Sequence, residues 1–229
     1  MNNIFVIYNK ENNDIVKLKR YILPLSIILI FFSFYMIIPI NRIIFNAKIN
    51  GNIDYNFLNI FIFVTYNILL FISTLISIYY NYRSINVDIK DMKIENLLNT
   101  NIKFSDIVFG KYLNSVKYSL SIILPIFPIF YLTFLFGGFH LFFMIKFIFI
   151  IIVSVLFFSA LSIFISSRYT EPVVSFIISF ILSVFYLIIN IIFFNMIYND
   201  LSIYFMFLIF LIIMAILFVF LTIKTKLYK

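Results

Sequence analysis

Six long apolar runs separated by short polar stretches dominate the chain, at residues 21–43, 57–80, 112–136, 141–166, 173–197 and 202–223. A helix needs roughly 20 residues to cross a hydrocarbon layer about 30 Å thick, and each run meets that length. Within the runs, apolar side chains fall on every face. The two-residue alternation of a membrane β-barrel is absent. The pattern predicts an all-α polytopic membrane protein, a single transmembrane domain over 1–229 with six spans.

Two polar stretches carry a pattern of their own. In 1–20, Ile4, Tyr8, Ile15 and Leu18 recur near helical spacing, with Lys10, Glu11, Asp14, Lys17 and Lys19 between them. This suits a helix lying in the membrane interface, the other reading being a ragged polar tail. The stretch is too polar to span and lacks a small-residue cleavage site, so it is expected to stay in the mature protein. In 81–111, Ile85, Ile89, Met92 and Leu98, with Ile94 and Leu97 beside them, form an apolar stripe. Asp88, Lys90, Asp91, Lys93 and Glu95 occupy the other faces, which predicts a short amphipathic helix. Ser105 suits an N-cap and Asp106 a first turn, so the third membrane helix is expected to begin at about Asp106.

Charge sets the orientation. With the N-terminus inside, 14 basic residues fall on the inner side and only Arg42, Lys48 and Lys146 on the outer, out of 17. Basic residues collect in cytoplasmic loops, so both termini are expected in the cytoplasm. The net charge of +8 then reads as a topology signal and an attraction to anionic membrane lipid, not a nucleic-acid footprint. Apolar residues make up 64% of the 229, charged residues 11%, and the mean hydropathy is +1.13, outside the range of soluble domains. Asn, Ile, Lys, Phe and Tyr are favoured throughout, the bias of an AT-rich bacterial genome, which places the chain in a bacterial cytoplasmic membrane. Trp is absent, and Tyr21, Tyr79, Tyr80, Tyr112 and Tyr198 are candidates for its interfacial role.

Several chemistries lack their residues. No cysteine is present, which removes disulfides and thiolate metal sites. A phosphate-binding P-loop needs G-x-x-x-x-G-K-[ST]. Here Gly110-Lys111 is followed by Tyr112, and Ser105 stands where the first glycine belongs. The sole histidine, His140, lies in the outer turn beside Gly137 and Gly138, so neither a two-histidine zinc site nor a serine triad is available. The chain is read as no enzyme, with no catalytic, cofactor or metal residues.

Polar groups inside the spans are costly and often functional. Lys146 either snorkels outward along its stem or touches a substrate. Asn67 and Asn190 either join neighbouring helices or line a translocation path. Pro125 and Pro128 in PIFPIF remove backbone hydrogen bonds and kink the third span.

The stretch ENLLNTNIKFSDIVFGK, through Glu95, Leu97, Leu98, Thr100, Ser105, Asp106, Ile107, Gly110 and Lys111, resembles the segment between the second and third spans of type-2 ABC transporter permeases. That family has a Glu, two leucines, Thr-Pro, a capped Ser with an acid, an apolar pair and Gly-Lys. Asn101 stands where the family has proline. SSRYTEPVVSF, residues 166–176 with Arg168 and Glu171, is similar to the family's inner loop between spans four and five. The resemblance implies a permease subunit that pairs with a second copy or paralogue and with separate cytoplasmic P-loop ATPase subunits. Glu95, Leu97, Leu98, Thr100, Asp106, Lys111, Arg168 and Glu171 would then serve as ATPase-coupling residues, and the loop helix as a coupling helix. Short outer loops favour export of an amphipathic or membrane-partitioned substrate such as a peptide, bacteriocin, lipid or drug. The other class of reading is a membrane binding, immunity or scaffold subunit that sequesters a partner without an ATPase, its loop merely solvated.

Overall fold

The computed structural model describes residues 26–27, 30–31, 55–99, 102–124 and 141–224. The described chain is all-helical and holds no strand. Its helices are α1 Tyr55–Asn81, α2 Asn86–Lys90, α3 Lys93–Leu98, α4 Phe104–Ile123, α5 Leu141–Arg168, α6 Pro172–Asn199 and α7 Leu201–Lys224. Four of them, α1, α5, α6 and α7, are long and apolar enough to cross a membrane. Only a helix satisfies its own backbone groups along such an apolar run. α4 is more polar, with Asp106 and Lys111 in its first half and Lys117 in its second. The expected interfacial helix at 1–20, most of the span 21–43, the second half of 112–136 with Pro125 and Pro128, and His140 lie outside the described residues.

α5 is the central helix. In its apolar window 67% is buried, against 22% for α6 and 28% for α7, and it touches every other long helix. Ring and hydrogen-bond contacts fix the directions. Tyr66 of α1 stacks on Phe147 of α5 at 4.5 Å between centroids, and Ile85, just after α1, donates its amide to Ser166 Oγ at 3.1 Å. α1 and α5 are therefore parallel. Ser115 meets Asn81 while Tyr118 stacks on Tyr80, so α4 runs against α1. α7 runs with α5, since Tyr204 donates to the Lys146 carbonyl at 3.1 Å and Phe218 lies 5.3 Å from Phe164.

Two apolar clusters hold the bundle. The larger joins Tyr66, Leu70, Ile78, Ile122, Phe147, Phe158 and Leu211 across the long helices. The smaller gathers Ile85, Ile94, Ile107, Val108, Ala160, Ile163, Ala215 and Val219 at the end carrying α2 and α3. The remaining faces of α6 and α7, with Ile177, Phe185, Phe205 and Ile216, are exposed, as suits helices that face lipid.

Helix starts obey local chemistry. Ser105 is not the cap of α4. The cap is Lys103, extended at φ −81° and ψ 149°, whose carbonyl accepts from the amides of Asp106 and Ile107 at 2.9 and 3.3 Å. The helix is thus nucleated one residue before Ser105 and needs no side-chain cap. Asp200 does cap α7, accepting at Oδ1 from the Ser202 amide and hydroxyl at 2.8 and 2.7 Å. Those bonds hold its carboxyl below the usual carboxylate range, and Lys146 adds a smaller pull in the same direction.

Candidate functional site

After α1 the chain turns at 82–85 and enters α2. The sequence predicts one amphipathic helix here, and the chain instead forms two. At 3.6 residues per turn, Ile94 lies on the opposite side of a straight helix from Ile85. A break between them lets both turn inward, and they are 0% and 1% exposed. The break is at Met92, whose backbone is left-handed at φ 54° and ψ 15°. Its amide donates to the Ile89 carbonyl at 3.0 Å, and its carbonyl accepts from Asn96 at 3.1 Å. One residue thereby closes α2 and opens α3. For a residue with a β-carbon this conformation costs about 1–2 kcal/mol, so the flanks must hold it.

α2 is fastened by polar bonds. Lys111 of α4 reaches Asp88 at 2.6 Å, with the lysine side chain 5% exposed and the aspartate 20%. Lys90 pairs with Glu171, in the turn before α6, at 2.8 Å. Ser166 Oγ accepts from the amides of Ile85 and Asn86 at 3.1 and 3.3 Å, and the Asn86 side-chain amide donates to Ser175 Oγ at 3.3 Å. α3 is fastened by apolar contact, through buried Ile94 and half-buried Leu97 in the smaller cluster.

The two stretches singled out in the sequence, 95–111 and 166–176, therefore flank one assembly. Glu95 is exposed on α3. Leu97 and Leu98 part company, for Leu97 packs against the bundle while Leu98 is 39% exposed beside Met92 at 63%. Asp106 is half-buried in the first turn of α4. Lys111 is occupied by Asp88, and Glu171 by Lys90. Arg168 ends α5, with its guanidinium 5.3 Å over the Phe164 ring. Thr100 lies outside the described residues.

The three intramembrane polar candidates occupy separate settings. Asn190 is 1% exposed, accepts from the Tyr66 hydroxyl at 3.3 Å and donates to the Tyr186 carbonyl at 3.3 Å. Asn67 donates to its own helix at the Phe63 carbonyl, 2.8 Å away, and its side-chain oxygen has no hydrogen-bond partner among the described residues. Lys146 is 6% exposed, its ammonium 5.1 Å from the Phe142 ring centroid and 5.3 Å from that of Tyr204. Cation–π contacts of this kind suit an ammonium withdrawn from water.

Sequence reasoning missed Asp88, Lys90, Asn86 and Ser166 as site residues. A signal existed for Asp88, because a lysine on the inward face of α4 requires an acid, and the preceding loop supplies few. The arrangement as a whole is an outward surface of Met92, Glu95 and Leu98 rooted in the bundle through Ile94, Leu97 and Asp88. Next to α3, α2 is bonded to α4 through Asp88 and to the α5–α6 turn through Lys90. No family model matches the chain, and no curated protein matches it.

Proposed function

We propose that the chain is the transmembrane permease subunit of an ATP-driven exporter, crossing a bacterial cytoplasmic membrane six times with both termini inside. It pairs with a second permease copy or paralogue and with separate P-loop ATPase subunits, and moves an amphipathic or membrane-partitioned substrate outward. The observation that carries this reading is the division of α3. Its inner face, Ile94 and Leu97, is seated in the bundle, while Glu95 and Leu98 face outward with exposed Met92. An exposed pair of apolar side chains around one carboxylate suits a groove in a partner protein. Ion pairs at the middle and the C-terminal end of α2 would carry motion of that surface onward, which suits a lever between ATPase closure and membrane helices.

The test is to make Glu95→Lys and Leu98→Asp, confirm normal membrane abundance, and measure ATPase co-purification and hydrolysis. Both variants should lose association roughly tenfold or more, since desolvated interface anchors cost a few kcal/mol when truncated or reversed. Association and hydrolysis unchanged in both variants would remove the coupling role and the exporter reading with it.

A further inference from the structure

α1, α4 and α5 meet along a seam of hydroxyl and amide groups. At its centre Ser115 of α4 receives a hydrogen bond from the Asn81 side chain of α1 and meets Ser159 of α5 at 3.2 Å. These three residues are at most 4% exposed. Two further hydroxyls flank this knot. Ser119 lies one turn along α4 from Ser115, and Ser162 about one turn along α5 from Ser159. The parallel register that sets Tyr66 against Phe147 and Ile85 beside Ser166 brings Asn81 level with Ser162. Both Ser119 and Ser162 are 0% exposed, and neither hydroxyl has a hydrogen-bond partner among the described residues.

That state has an easy alternative. A serine inside a helix can turn its hydroxyl to a carbonyl of the preceding turn. Ser73, Ser77, Ser154 and Ser179 all do so, at 2.7 to 2.9 Å. Ser119 and Ser162 make no such bond, in a place where a buried polar group without a partner is rare. The chemistry of the seam selects what they hold. No charged side chain lies among the five residues, and the nearby pair Asp88 and Lys111 is mutually occupied. A cation or an anion would find no countercharge there, whereas a molecule that both donates and accepts suits hydroxyl and amide groups.

We propose that the α1–α4–α5 seam is a water-binding site, with one water at Ser162 and one at Ser119 joined to the Asn81–Ser115–Ser159 knot. A wet seam lets α4 shift against α1 and α5 by exchanging side-chain bonds for water bonds. The proposal does not depend on any ATPase partner.

The experiment is radiolytic hydroxyl labelling of the full chain in mild detergent micelles, read by mass spectrometry, with water itself as the probe. Radicals formed from bound water modify the side chains beside it. Tyr118 and Phe158, 4% and 0% exposed, should label several-fold faster than Tyr66, which is 1% exposed and away from the seam. Ser119→Ala should slow labelling of Tyr118, Ser162→Ala should slow that of Phe158, and Ser162→Thr should restore it. Wild-type Tyr118 and Phe158 as inert as Tyr66 would overturn the proposal without recourse to any variant. Labelling unchanged in both alanine variants would overturn it as well.

Discussion

Replacing Asp88 by asparagine should be among the most damaging single changes at the α2–α4 junction, and its cost follows from the geometry. Lys111 is 5% exposed and lies 2.6 Å from the carboxylate. Two unit charges at that distance attract by about 6 kcal/mol at an effective dielectric of ~20. Desolvation of the lysine consumes most of that gain, and water that reaches the partly exposed aspartate weakens the remainder. Asp88→Asn removes the attraction and leaves a desolvated ammonium, a change that costs about 3–5 kcal/mol for fully buried pairs and about 2–3 kcal/mol here, given the exposure of Asp88. Lys111→Met leaves an aspartate that is more exposed and has Lys93 3.8 Å away, so its cost should be about 1 kcal/mol. The double variant should recover most of the loss. The assay is a double-mutant cycle on the detergent-solubilised chain by thermal or denaturant unfolding. The reasoning is refuted if the two single losses are equal, or if they add in the double variant.

Ile94→Ala empties a site that is 1% exposed and walled by Ile85 and Ile107. It should cost about 2–4 kcal/mol, and an unfolding measurement that finds under about 1 kcal/mol would contradict the inward turn of α3. Asp200 has a depressed carboxyl pKa, so its capping of α7 is fully present above the ordinary carboxylate value near pH ~4 and is lost as pH falls through the lower native value. The thermal-stability gap between wild type and Asp200→Ala should therefore be flat at neutral pH and close in acid, and a gap that widens in acid would reverse the assignment. The chain has no native cysteine, so Asn52→Cys and Lys93→Cys can be labelled singly in intact cells with an impermeant thiol reagent. Labelling is expected at 52 alone, and reaction at 93 would invert the proposed topology.

The long apolar runs were legible because α1, α5, α6 and α7 are specified locally, by composition over 24 to 28 residues each. The amphipathic loop was legible as helical but not as broken. Its stripe counts Ile85 and Ile94 together although nine residues set them on opposite sides of a straight helix, and only their common burial in a cluster with Ile107 and Ala160 reveals that the helix breaks between them. The role of Ser105 was misjudged because a good capping side chain does not decide where a helix starts when the preceding carbonyls already bond. The meeting of Lys90 with Glu171 spans 81 residues, and no local pattern encodes such a pair. The exposed Leu98 and the covered Leu97 are neighbours of equal hydropathy, and only the three-dimensional seat of α3 separates them.

Met92 turns the α2–α3 corner into something like a bell crank. Because its side chain is 63% exposed, no packing of its own holds the left-handed backbone, and the corner keeps its angle only while both arms are gripped. Under the proposed coupling role, a load on α3 would therefore divide. Part would pass through Ile94 into the apolar cluster, and part round the corner to Asp88 and Lys90, which are bonded to two different elements, α4 and the turn before α6. A glycine at this position would relieve the strain, yet it would also let the corner flex, and the two outputs would lose their fixed proportion.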